Sequence, residues 1–162
     1  AKTFADLRGA RWAYNEPRSH SGYNVLKAHL FDLGELDGFF ASAQMAGSHE
    51  TALEMIMQGS VDGAVIDTTV YETVLRHQPE LGSQLRVVDS LGPSPMPPWI
   101  VTSEVESNLR SDIRRILTEM HEDPEGKRIL QRHAALRYAA VTDADYDPIR
   151  EMDDKARQVR LC

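Results

Sequence analysis

The sequence predicts an α/β fold made of parallel β-α-β units, with the strand-to-helix turns gathered along one sheet edge. Three observations carry that prediction. Short apolar runs alternate with amphipathic helical patterns at close spacing through residues 1–90, which favours parallel strands joined by right-handed helical crossovers. Ser19, Ser48 and Asp67 stand just after the strand candidates, where a side-chain oxygen caps the orphan N–H groups of a helix start. Gly34 and Gly59 stand where two helical patterns end, as helix termination favours.

Taken in order, Lys2–Gly9 leads into a first strand, Arg11-Trp12-Ala13-Tyr14. Pro17 prevents its simple continuation, and a helical pattern runs from about Gly22 to Leu33 with Val25, Leu26, His29 and Leu30 on one face. Phe39–Met45 reads as a second strand, and the helix capped by Ser48 carries Ala52, Leu53 and Ile56 as its apolar stripe. Met45, Met55 and Met57 read as core filler, since no thiolate accompanies them. Asp62–Asp67 reads as a short buried strand, Thr68 to Arg76 as the helix after it, and Leu85–Asp89 as a fourth strand, so that residues 1–90 form a βαβαβαβ lobe.

The clearest break in composition follows, with four prolines among residues 93–98. They deny helix and limit ladder bonding, so residues 91–98 form an extended connector, either a crossing between two lobes or a surface loop within one domain. Trp99-Ile100-Val101-Thr102 reads as a strand re-entering a sheet. Leu109, Ile113, Ile116, Leu117 and Met120 then recur at helical spacing, with Arg114 and Arg115 on the solvated face. Asp123 caps a further helix with Pro124 at its first position. Tyr138–Val141 is an extended piece, and Asp147-Pro148 opens a last helix striped by Ile149, Met152, Ala156 and Val159.

Composition narrows the classes. The 162 residues suffice for one domain or two small lobes, burying about two-thirds of the unfolded surface. Apolar residues are 41% and charged residues 27%, ordinary for a globular chain. Eighteen Lys and Arg against 25 Asp and Glu give a net charge of −7, which disfavours nucleic acid and anionic membrane as partners and makes any anion site a local one. There is no run of about 18 apolar residues. The first residues lack the order of a signal peptide, as expected of a mature, truncated or cytosolic chain. The single Cys162 excludes an internal disulfide.

The stretch Tyr14–Asn24 joins the first strand to the first helix through hydroxyls, amides and a glycine. Orphan N–H groups and the helix dipole at such a junction hold an oxyanion without a full countercharge. Ser19 and Ser21 add two hydroxyl donors; the alternative is that Ser19 only caps the helix and Gly22 only packs. Ser48-His49 and Asp67-Thr68-Thr69 fall at equivalent turns, and ligands of parallel sheets gather at the carboxyl ends of strands.

These segments resemble the phosphate/phosphite/phosphonate-binding proteins of bacterial ABC importers, of the type 2 periplasmic binding protein class. The resemblance is carried by the Ser19-His20-Ser21-Gly22 loop, Gly47-Ser48-His49-Glu50, Gly59–Asp67, Asp123-Pro124-Glu125-Gly126 and Asp145–Arg150, in family order over nearly the whole chain. It implies a parallel-sheet second lobe at 1–90, a hinge crossing at 91–98, and a returning strand and C-terminal helices of the first lobe at 99–162. It also implies that the N-terminal part of the first lobe is not in this chain, so that the pocket is completed by a further segment or a partner chain. The site it implies comprises Ser19, His20, Ser21, Gly22, Tyr23, His49 and Asp67, binding a phosphorus oxyanion without catalysis, cofactor or metal, outside the cytoplasm and in partnership with an ABC permease. Asp67 either accepts a hydrogen bond from a protonated ligand oxygen, pairs with a ligand amine, or merely caps its helix. His20 and His49 border the ligand, and a bound anion then raises a histidine pKa, so binding strengthens as pH falls.

The same residues fit other chemistries less well. A hydrolase would use Ser19 or Ser21 with His20, His49 and Asp67, but adjacent Ser and His face each other poorly and no Gly-x-Ser-x-Gly elbow is present. Zinc lacks its spacing, since there is no His-x-x-x-His and no Cys-x-x-Cys. The cysteine-rich motif of thiamine-pyrimidine synthesis enzymes of related fold is absent. A ligand-sensing domain of the same fold remains the main alternative.

Overall fold

The computed structural model describes residues 1–132 and 135–162. Strand β1 (Arg11–Tyr14) is the centre of a three-stranded parallel sheet, with β2 (Ser42–Met45) on one side and β3 (Gly63–Ala64) on the other. A π-type turn at His20–Asn24 runs directly into α1 (Val25–Asp32). Helices α2 (His49–Met57), α3 (Thr68–His77) and the short α4 (Leu81–Gln84) follow. Then come α5 (Ser107–Glu119), α6 (Pro124–Arg132) and α7 (Asp147–Ala156). The small parallel sheet with its crossover helices is the α/β class that the alternating pattern predicts.

Side chains alternate across the sheet, so each face has its own core. Trp12 joins Leu7, Leu26, Leu30, Phe39, Phe40, Val159 and Leu161 on the face covered by α1, while Ala13 joins Ala52 and Val61 on the face covered by α2. Trp12 stacks on Phe40 with ring centroids 4.5 Å apart. Its register partner is Gly63, where a Cβ would lie 2.6 Å from the indole Cζ3, so the glycine makes room for the ring. At the start of β1 the Arg11 guanidinium grips Asp62 at 2.7 and 3.1 Å, and the Arg11 N–H adds a third bond at 2.8 Å.

Contacts group the chain into two units, residues 1–94 with 147–162, and residues 95–146. In the first unit α7, assigned by sequence to the returning lobe, packs on α1: Lys155 pairs with Asp32 at 2.7 Å, and Asn24 donates to Asp153 at 3.1 Å. In the second, Asp123 caps α6 by accepting the Gly126 N–H at 2.7 Å, and Leu130 is buried. The Tyr146 hydroxyl donates to the Met96 carbonyl at 3.1 Å.

Several expected strands are shorter or absent. Residues 85–102 form neither helix nor strand. Instead of pairing, the 85–89 segment passes α1, where Val88 packs against the core and Asp89 lies 4.0 Å from His29. Trp99–Thr102 finds no neighbouring strand among the described residues, so its ladder stays unformed; Trp99 meets the Tyr138 ring edge-on and is 75% exposed. Tyr138–Val141 has no regular structure either. Phe39 and Phe40 plug the core before β2 begins, which shortens that strand. Met55 packs on the second core as filler, whereas Met45 and Met57 are exposed.

Candidate functional site

All three strands end, at their carboxyl termini, in turns that carry the polar residues of one cluster. β1 leads to Asn15 and Ser19–Ser21, β2 to Ser48-His49, and β3 to Asp67. Ser19, in extended conformation, caps the turn by accepting the Gly22 N–H at 3.1 Å. Asn15 fixes its own amide by accepting the Glu16 N–H at 2.8 Å, then donates through Nδ2 to Ser19 Oγ at 2.8 Å. Both acceptor positions of Ser19 are thereby filled by protein donors, and its hydroxyl proton is left to donate outward.

His49 is oriented from the opposite side. Its Nδ1 accepts the Asp67 backbone N–H at 3.3 Å, so the neutral ring carries its proton on Nε2. That atom lies 3.4 Å from Ser21 Oγ and 3.3 Å from Asn15 Nδ2. The Nε2–H donates to Ser21, whose own proton is directed to the Asp67 carboxylate. The Asn15 amide nitrogen lies against the same Nε2, so two donors meet at this corner of the cluster. Asp67 accepts from the Thr69 N–H at 2.9 Å and hydroxyl at 2.6 Å. Burial opposes ionisation of Asp67, but the bonds from Thr69 and Ser21 together with nearby His49 outweigh it and hold the carboxyl below its ordinary range.

This geometry is reversed relative to a nucleophile triad. There a carboxylate accepts Nδ1–H, leaving the Nε2 lone pair facing the serine. Here a main-chain N–H occupies Nδ1 and Nε2 bears the hydrogen, so His49 offers Ser21 no base. Among the described residues no group of three or more His, Cys, Asp or Glu side chains could hold a metal ion. The cluster is a set of neutral donors beside one carboxylate.

A model of the family described as "ABC transporter, phosphonate, periplasmic substrate-binding protein" matches residues 1–146. The chain belongs to this family. Solved structures agree at the level of fold. The protein XAC2383 from Xanthomonas citri bound to ATP superposes with a TM-score of 0.71 at 20% identity, over 99% of this chain and 62% of that one. PhnD1 from Prochlorococcus marinus in complex with methylphosphonate gives 0.73 at 19% identity, over 95% and 59%. The chain thus spans about three fifths of the length of the solved proteins it matches. The phosphonate-binding family is periplasmic and serves ABC transporters as a substrate-binding component. Among the described residues no helix is long and apolar enough to cross a membrane.

Of the residues that sequence singles out in this phosphonate-family member, the structure brings Ser19, Ser21, His49 and Asp67 together. Gly22 is buried beneath Asn15: a Cβ there would lie 1.9 Å from Asn15 Oδ1. Two side chains turn elsewhere. His20 bonds to Ser94 Oγ at 2.7 Å, its Nδ1 is buried without a partner, and burial pushes its pKa down against the pull of Asp153. The Tyr23 ring lies 4.7 Å from that of Tyr14 and carries the Lys27 ammonium 4.8 Å above it. Sequence reasoning passed over Asn15; its signal is an amide side chain placed immediately after the central strand.

Proposed function

We propose that this chain captures a phosphonate or a related phosphorus oxyanion for an ABC importer, without altering it chemically. One observation carries the reading: the Ser19 oxygen is filled by the Asn15 amide and the Gly22 N–H, and the Ser21 oxygen takes the His49 Nε2–H, so the two serine hydroxyl protons are directed to an acceptor at the carboxyl ends of the parallel strands. An anion takes the place that the Asp67 carboxylate holds against Ser21. The Ser21 and Tyr23 N–H groups at the start of the 20–24 turn reinforce it, since they open a continuous helical segment, while the Gly22 N–H is already taken by Ser19. Asp67 then meets a protonated ligand oxygen or a ligand amine and repels a fully ionised head group.

Residues 91–98 serve as the crossing between two lobes, and closure of those lobes over the ligand is the transport-competent state. A further segment or partner chain supplies the remaining pocket wall.

The test is thermal unfolding against methylphosphonate, 2-aminoethylphosphonate, phosphite, phosphate and sulfate, with Ser21→Ala as control. A ligand at about a hundred times its dissociation constant adds about 2.7 kcal/mol. Stabilisation by phosphorus ligands that disappears in Ser21→Ala is the expected result. Stabilisation by sulfate alone, or one that survives the substitution, overturns the reading.

A further inference from the structure

A cleft of about 250 Å³ opens on the α1 face of the sheet, lined by Tyr14, Tyr23, Lys27, Arg160, Leu161 and Cys162 among others. Its lining includes none of Asn15, Ser19, Ser21, His49 and Asp67, although Tyr23 belongs to the turn that carries the serines, and its inference does not rest on the function proposed above. Its chemistry is distinctive because one of its two cations and both tyrosine hydroxyls lack an ionic or hydrogen-bond partner among the described residues. Among the described residues Lys27 makes no ion pair; its ammonium rests over the Tyr23 ring at 4.8 Å. Asp153, the acid whose charge acts on it, is committed to Arg157 at 2.6 Å and to Asn24 at 3.1 Å. Arg160 is already paired with Asp37. Neither the Tyr14 nor the Tyr23 hydroxyl has a hydrogen-bond partner among the described residues.

We propose that this cleft binds a small planar monoanion, an aromatic monocarboxylate, with its carboxylate on the Lys27 ammonium and the tyrosine hydroxyls and its ring against Tyr14, Tyr23 and Leu161. One unneutralised cation favours one negative charge. The Tyr14 and Tyr23 rings, packed on each other with centroids 4.7 Å apart, and the aliphatic walls offer an apolar surface that suits an aromatic body. Partial burial of Lys27, which lowers its pKa, and of Tyr23, which raises its pKa, indicates a site where a carboxylate is less screened than in bulk water. With a net charge of −7 the chain as a whole disfavours an anion, and Arg160 is neutralised by Asp37, so capture in the cleft depends on Lys27.

The single cysteine supplies the readout. Cys162 is exposed and lines the cleft, so an occupant slows its alkylation by iodoacetamide. Benzoate at about ten times its dissociation constant is expected to slow the reaction about tenfold, because about one molecule in eleven is then empty. Protection is expected to persist in Ser21→Ala and in Lys27→Arg, and to be lost in Lys27→Met, whose melting curve reports whether it is folded. Neutral benzamide is expected to protect weakly or not at all. No slowing by benzoate, equal slowing in folded Lys27→Met, equal protection by benzamide, or protection that vanishes in Ser21→Ala would each overturn the proposal.

Discussion

The Nδ1 atom of His49 accepts the main-chain N–H of Asp67 at 3.3 Å, and this one bond decides what His49 can do for Ser21. It ties the start of α2 to the residue that caps α3 and leaves Nε2 as a donor. His49→Ala removes that donor. The expected loss is about 1.5–3 kcal/mol of methylphosphonate affinity, roughly ten- to hundredfold, as for a hydrogen bond to a charged group. Isothermal titration of both proteins checks it, and an unchanged affinity removes His49 from the site.

Gly22 and Asn15 compete for the same space. A methyl at Gly22 would lie 1.9 Å from Asn15 Oδ1 and 2.7 Å from Nδ2, so Gly22→Ala displaces the amide that holds Ser19 and His49. The expected cost is about 1–3 kcal/mol in urea unfolding, as for other overpacked sites. Asn15→Ala combined with Gly22→Ala relieves the overlap, and the two changes are therefore less than additive. Strict additivity would show that the clash does not control the turn.

His20 makes stability depend on pH. Burial lowers its folded pKa below the ordinary 6.5, with Asp153 opposing. A histidine with a depressed folded pKa contributes stability that is present above its unfolded pKa and lost as pH falls through and below about 6.5. The wild-type protein is expected to lose stability over that window, and His20→Gln to lose less. Parallel profiles for the two proteins would contradict this.

Asp62 acts at lower pH. The Arg11 side chain and N–H hold its carboxyl at about 2, against an ordinary 3.8. A depressed carboxylate contributes stability that is complete above the unfolded pKa and lost as pH falls from about 4 through the folded value of about 2. The pair is nearly half exposed, so water screens it, and the expected worth is within about 1 kcal/mol. Asp62→Asn is expected to flatten the acid limb of the stability curve by that amount, measured by urea unfolding at successive pH values.

Much of this was legible in the chain because it is local. The caps at Ser19, Ser48 and Asp67 each accept an N–H two or three residues ahead, and such bonds need only the right residue at the right offset. The missing strands were not legible for a converse reason. Leu85–Asp89 and Trp99–Thr102 have strand-like residues, but a strand exists only where a second one pairs with it, and no sequence pattern within either segment specifies a neighbour.

The sequence by itself determined the parallel α/β class, the order of turns and the polar residue types at each strand end, since periodicity and capping act over a few residues. Tertiary structure alone decided which of those residues meet. It set the His49 tautomer through a main-chain donor 18 residues away, brought in Asn15, and turned His20 to Ser94 and Tyr23 to Lys27. It also returned α7 to α1 across 123 residues of chain. Those outcomes depend on how helices crowd a short sheet: a side chain's direction is fixed by what already fills the space around it, a property of the packed core and not of local spacing.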